Sequence, residues 1–210
     1  DTVSIGVKQS GGGGDPVLMA MLKDLRHSVS KKINLPPFVI FNDTSLEDMT
    51  IHYPVSFDEL KNCQGVGEGK AKRYGKEFLE LISKYVKEND IERPADLVIK
   101  SVANKSLNKV YIITGIDRKQ PLEDIAESKG MEIEELLSEI EVIVNSGTKL
   151  NLDYYIRQTI DDDKVDDIYE YFKTEASTDS LKEAVEELGR GYTEEEIRLV
   201  RIKFLSEMGN

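Results

Sequence analysis

Gly65-Val66-Gly67-Glu68-Gly69-Lys70-Ala71-Lys72-Arg73-Tyr74-Gly75 is the stretch on which the chain turns. Three glycines fall in five positions, and three cations follow in the next four. Glycine lets a backbone turn tightly and come close to a neighbour. The cations then occupy the first turns of a helix whose free N-terminal amides favour an anion. Two readings stand side by side: a phosphate-facing turn, and a packed corner between two helices.

Working outward, Ser56-Phe57-Asp58-Glu59 has the spacing of a capping box, so a short helix runs from Ser56 into the glycine turn. Beyond the turn, Lys70 to about Lys87 forms the next helix, with Phe78, Leu79, Ile82, Tyr85 and Val86 as its buried face. Upstream, Asp15-Pro16 reads as N-cap and first helical residue, and Leu18, Met21, Leu22, Leu25 and Val29 repeat at helical spacing. Leu35-Pro36-Pro37 ends that helix and forces an extended segment. Phe38-Val39-Ile40-Phe41 is too short for a sheet, and a helix from about Leu46 to His52 follows the cap-rich Asn42-Asp43-Thr44-Ser45.

At the N-terminus Val3, Ile5 and Val7 alternate as in a short strand, and Gln9 to Gly14 reads as a flexible linker. Asn89 to Pro94 reads as a second linker. Downstream, helical periodicity covers Leu97–Ala103, Leu107–Ile116, Leu122–Lys129, Ile133–Val144, Leu152–Thr159, Lys164–Phe172, Ser180–Leu188 and Thr193–Met208. The expected fold class is all-α. The expected division is a remnant and linker at 1–15, a five-helix domain at 16–90, a linker at 91–100 and a second helical domain at 101–210.

Composition narrows the partners. The 210-residue chain has a net charge of −12, which taken whole disfavours nucleic acid. The distribution is uneven: residues 16–90 carry 11 Lys+Arg and 11 Asp+Glu, whereas residues 91–210 carry 16 and 27. Any contact with DNA therefore belongs to the first half. The single cysteine, Cys63, excludes an internal disulfide and fits a reducing cytoplasm. A lone Cys in an apolar segment has the setting of a small core residue. No apolar run approaches the length of a membrane span.

Catalytic and metal-binding patterns are not evident. The sequence has no GxxxxGK[ST] loop, and its two histidines, His27 and His52, lie far apart with no cysteine cluster. Asp161-Asp162-Asp163-Lys164-Val165-Asp166-Asp167 lacks the glycine and terminal glutamate of a calcium loop and reads as a solvated acidic turn. No catalytic, cofactor or metal site is expected in the chain.

Leu22–Arg26, the run Leu35-Pro36-Pro37-Phe38-Val39-Ile40-Phe41-Asn42-Asp43-Thr44-Ser45-Leu46, Pro54, Phe57-Asp58-Glu59-Leu60 and Gly65 through Lys76 together resemble an HRDC domain, from about Pro16 to Glu88. Residues 91–210 are similar to the helix-turn-helix region at the C-terminus of some bacterial RecQ helicases. The residues carrying that likeness are Leu122-Glu123-Asp124-Ile125-Ala126, Gly130-Met131, Gly147-Thr148-Lys149-Leu150 and Tyr192 through Val200. The order of modules implies the C-terminal portion of a RecQ-type ATP-dependent DNA helicase, with ATP and Mg²⁺ confined to an upstream core. It also implies a cytoplasmic, nucleoid-associated setting in DNA unwinding, recombination and repair, including the SOS response.

By that resemblance the first domain helps the motor engage single-stranded or forked DNA. Phe38, after the Pro-Pro pair, has a ring able to stack on a base of any identity; it is equally suited to the core. Arg26, Lys31 and Lys32 are candidates for a phosphate path beside it, or form a solvated helix face. Lys70, Lys72, Arg73 and Lys76 complete the candidate DNA contacts, with Glu68 weakening their field.

In the second domain the groove-entering helix of the helix-turn-helix would be Ile133–Val144. With Glu132 at its start it carries Glu134, Glu135, Glu139 and Glu141, with no Lys or Arg between Gly130 and Gly147. Such a helix is repelled by phosphate. The expectation is a docking or autoregulatory surface, directed at the helicase core in cis or at another protein.

Overall fold

The computed structural model describes residues 14–93 and 102–210. The expected N-terminal strand, and most of the helix expected at 97–103, lie outside those residues. Twelve helices are present and no strand occurs among the described residues, so the all-α expectation holds.

The first five helices are α1 (Pro16–Ile33), α2 (Pro37–Ile40), α3 (Asp43–His52), α4 (Phe57–Lys61) and α5 (Gly67–Glu88). Asp15 caps α1 by accepting from the amides of Val17 and Leu18, both at 3.0 Å. Its other carboxylate oxygen accepts from the hydroxyls of Tyr85 at 2.8 Å and Tyr53 at 3.2 Å, tying the start of α1 to the ends of α5 and α3. Burial, together with the Asp15 charge and hydrogen bonds, pushes both tyrosines up to about 12. The Ser56–Glu59 capping box is present. The core of this module is built from Leu18, Leu22, Ile40, Phe41, Leu46, Met49, Leu60, Val66, Phe78 and Ile82. Cys63 belongs to the same core, and burial pushes its thiol up to about 12.

One local expectation is corrected. The segment after Pro36-Pro37 is a helical turn, not an extended strip. Proline at the first helical position loses an amide that would be unpaired anyway and brings its φ preset. The restriction falls on Leu35 and Pro36, which stay extended enough to lead into the turn.

The second module contains α6 (Val102–Asp117), α7 (Leu122–Ser128), α8 (Ile133–Asn145), α9 (Asp153–Thr159), α10 (Asp162–Glu170), α11 (Leu181–Leu188) and α12 (Glu194–Gly209). A single π-type turn, Tyr171–Glu175, extends α10. The run Asp161–Asp167 is thus the start of a helix where a turn was expected. Asp162 and Asp163 sit in its first turn, where the helix dipole favours negative charge.

The last helix, α12, is the shaft of the second module. It buries Ile197, Leu199, Val200, Ile202, Phe204 and Leu205 against its neighbours. Ser206 is fully buried and satisfied: its hydroxyl donates to the Leu150 carbonyl at 2.6 Å and accepts from the Leu150 amide at 2.8 Å. The two modules share α2. Ile40 and Phe41 point into the first core, while Phe38 and Val39 belong to the second.

Candidate nucleic-acid interface

A groove of about 540 Å³ runs between the end of α1 and the first half of α5. Its lining is Val29, Lys32, Ile33, Leu35, Arg73, Tyr74, Lys76 and Glu77. Both helices owe this arrangement to their periodicity. Val29 faces the core, so Lys32 and Ile33, three and four positions on, fall on its exposed flank. On α5, Gly75 brings the helix against Leu60, which turns Tyr74 and Lys76 to either side of the contact. The ring of Tyr74 is half-buried, 6.2 Å from Phe41 in an edge contact, with the Arg73 guanidinium 5.8 Å from its centroid. Lys32 lies 3.4 Å from Glu77, an exposed pair that contributes little to stability. An apolar floor with an aromatic ring and three cations at its rim matches what a single strand requires: a stacking platform and a phosphate track.

Of the eight residues expected from sequence, Lys32, Arg73 and Lys76 line this groove, and Lys31 lies beside it on the exposed end of α1. Lys72 is exposed and paired with Glu68 at 2.6 Å. Arg26 is turned inward. Its guanidinium donates to the Phe41 carbonyl at 2.7 Å and pairs with Asp43 at 2.8 Å, with its side chain 12% exposed. That geometry makes Arg26 a strut between α1 and α3, and it corrects the expectation that it lines a phosphate path.

Phe38 and Lys70 are also corrected. Phe38 is 3% exposed and sits in the second core with its ring centroid 6.3 Å from that of Phe204. It therefore shows no free face for a base. Lys70 is likewise 3% exposed. Burial pushes its ammonium down to about 8, the nearby charge of Asp179 opposing that shift and Arg73 adding to it. Both side chains are covered by the second module. Tyr74, by contrast, stood in the quoted stretch but was not singled out. Its spacing of four from Phe78 marks it as flanking a buried helix face, which was the available signal.

The helix-turn-helix forms as expected, with α7 and α8 meeting at Gly130, whose φ is +63°. The acidic face of α8 is partly neutralised from another helix. Arg198 of α12 donates to Glu141 at 2.7 and 3.1 Å, to Glu134 at 2.8 Å and to Ser138 at 2.8 Å. Arg201 adds a contact to Glu141 at 2.6 Å. Burial favours the protonated form of Glu141, but the two guanidiniums outweigh it and hold the carboxyl below the usual range. The remaining outer face presents Glu135, Glu139 and Val142, which cannot track phosphates.

Two family models match parts of the chain. The model of the HRDC domain matches residues 15–82, and that of the RecQ-1-like helix-turn-helix domain matches residues 106–156. The pair fits a C-terminal RecQ fragment. Its HRDC domain is similar to part of the ATP-dependent DNA helicase RecQ of Haemophilus influenzae, 38% identical over 71 residues, or 34% of this chain and 12% of that protein. The likeness to the ATP-dependent DNA helicase RecQ of Bacillus subtilis is 38% over 73 residues, 35% of this chain and 12% of that protein. A longer match joins the chain to the ATP-dependent helicase wrn-1 of Caenorhabditis elegans, 26% identical over 146 residues, 65% of this chain and 14% of that protein. The chain thus spans about 12% of the length of the first two relatives it matches.

Among the described residues, no group of His, Cys, Asp and Glu is placed to hold a metal ion, and no helix is long and apolar enough to cross a membrane.

Proposed function

We propose that this region is an accessory nucleic-acid-binding part of a RecQ-type ATP-dependent DNA helicase, in which the HRDC domain holds single-stranded or forked DNA for the motor. The observation carrying this reading is the groove between α1 and α5, where Lys32, Arg73 and Lys76 surround an apolar floor containing Tyr74. Binding of this kind is weak, tolerant of sequence and steep in salt, because released counterions supply most of its free energy. Titration of a labelled oligothymidine with the full chain at about 50 and 200 mM salt tests it. Affinity should fall steeply between the two salts and should be largely lost in Lys32→Glu/Lys76→Glu. Equal affinity of wild type and variant would remove the groove from consideration.

A second role is supported by the acidic second module, whose Asp179 already acts on the buried Lys70 of the HRDC domain. In that role it docks on basic surfaces of the helicase core or of another protein. Deleting residues 102–210 from the intact helicase should then alter its ATPase rate or DNA affinity. An unchanged enzyme argues against docking.

A further inference from the structure

The second module sits over the part of the HRDC domain that holds three of the sequence-derived DNA contacts. Phe38 packs on Phe204. Arg73 donates to the Gly209 carbonyl. Lys70 is buried, and its amide, one of those at the start of α5 with no partner inside the helix, donates to the Ser146 carbonyl at 3.4 Å. Gly67 and Gly69 allow the approach: a Cβ on Gly67 would lie 2.5 Å from Ser146, and one on Gly69 would strike the Gly147 carbonyl. Asn42 reaches across to Asp179 at 3.3 Å.

We infer that the helix-turn-helix module is a cap that competes with single-stranded DNA for the HRDC face formed by Phe38, Lys70 and Arg73. The inference rests on the reading that the HRDC domain binds single strands. Each group under the cap has a substitute partner on a strand. Phe38 exchanges the Phe204 ring for a base. Arg73 and the Lys70 amide exchange carbonyl oxygens for phosphate oxygens, which are the stronger acceptors of the two. The Lys70 ammonium gains most. In the docked state it is desolvated, and Asp179 acts on it through space without a hydrogen bond. Opening returns it to water or to a phosphate. The module that closes the face is the acidic half of the chain, with 27 Asp+Glu against 16 Lys+Arg from residue 91 onward, so a polyanion competes with it on like terms.

The test uses the full chain. At saturation with an oligothymidine, hydrogen exchange at the Lys70 amide and at the α2 amides should accelerate at least fivefold, as the cap is displaced. Unchanged exchange at saturation would overturn the inference. A Gly69→Ala variant provides an opened chain, since alanine favours the helix itself while its methyl wedges the Gly147 backbone away. Gly147→Val wedges the same contact from the other side. Both should keep their helical circular dichroism, expand in solution scattering and bind the oligonucleotide at least fivefold more tightly. Adding Phe38→Leu or Lys70→Gln should remove that gain.

An expanded, folded variant that binds like the wild type would refute the cap. If Lys76→Glu still weakens binding in that case, the groove reading survives. If neither opening nor Lys76→Glu has any effect, both readings fail.

Discussion

Phe38 and Phe204 lie with ring centroids 6.3 Å apart and planes inclined at 48°, one from the turn after Pro37 and the other from the last helix. That contact joins the two modules through α2, whose Phe38 and Val39 lie in one core while Ile40 and the following Phe41 lie in the other. Phe38→Ala should therefore destabilise the chain by about 3 kcal/mol, the usual cost of deleting a buried aromatic ring. Thermal unfolding should show it as a lowered midpoint and a separation of the second module's transition from the first. Phe38→Leu should cost much less.

Arg198 and Arg201 of α12 converge on Glu141 of α8 and tie the two helices together. The three side chains are 12%, 13% and 18% exposed, so removing the carboxylate leaves two guanidiniums close together and poorly solvated. Glu141→Ala should cost about 3 kcal/mol or more, in the range for breaking a buried pair from one side. Chemical denaturation, followed by the signal of the second module, measures this.

The same carboxyl gives an acid dependence. Its folded pKa is depressed, with the guanidiniums overcoming burial. Its contribution is therefore present above the ordinary carboxylate range and is lost as pH falls through the lowered folded value. Between pH 5 and 2 the wild-type chain should lose more stability than Glu141→Gln does. Parallel urea melts across that range check the sign.

Lys70 gives a slope of the same sign in the alkaline range. Its pKa falls from the ordinary value of 10.5 to about 8 on burial. Below pH 8 the docked state therefore bears the full cost of a desolvated ammonium. That cost shrinks as pH rises from about 8 to 10.5 and is gone above it. Cys63, raised from 9.0 to about 12, and Tyr53 and Tyr85, raised from 10.0 to about 12, oppose that slope equally with and without Lys70, because each loses its proton earlier in the unfolded chain. Lys70→Met should therefore be the more stable protein at pH 7, and its advantage over the wild type should shrink as pH rises from about 8 to 10.5.

Gly65 tests the corner itself. Its φ is +71°, and an added Cβ would come 2.8 Å from the Ser45 hydroxyl. Gly65→Ala should cost about 1–2 kcal/mol for the left-handed backbone, plus the displacement of Ser45 from its 2.9 Å bond to Asn42. A differential scanning melt shows the loss, and Gly130→Ala offers a comparison, with φ +63° but nothing within 4 Å of its Cβ.

Periodicity and capping chemistry made most of the fold legible. Asp15-Pro16 and Ser56–Glu59 each start the helix they foretell. Val66, between the glycines, is fully buried as the corner reading requires. The contacts between modules were not legible, because they come from residues that look ordinary in one module alone. Phe38 has the chemistry of a stacking ring until Phe204 is brought over it. Lys70 has the chemistry of a phosphate contact until Ser146 and Gly147 close on α5. For α8 the sequence shows an uncompensated acidic face, and only the fold supplies Arg198 and Arg201 from about sixty residues away. Of the candidate DNA contacts, Lys31, Lys32, Lys72, Arg73 and Lys76 are exposed, Arg73 while also reaching the Gly209 carbonyl at the end of α12.

The most direct measurement is a residue-resolved map of amide hydrogen exchange, or of chemical shifts, on the full chain with and without a saturating single-stranded oligonucleotide. Protection or shifts are expected at Val29–Ile33 and Arg73–Glu77 around the groove, with accelerated exchange under the cap at Lys70 and no change along Glu134–Glu141 of α8. A footprint confined to α8, with the groove unchanged, would contradict this.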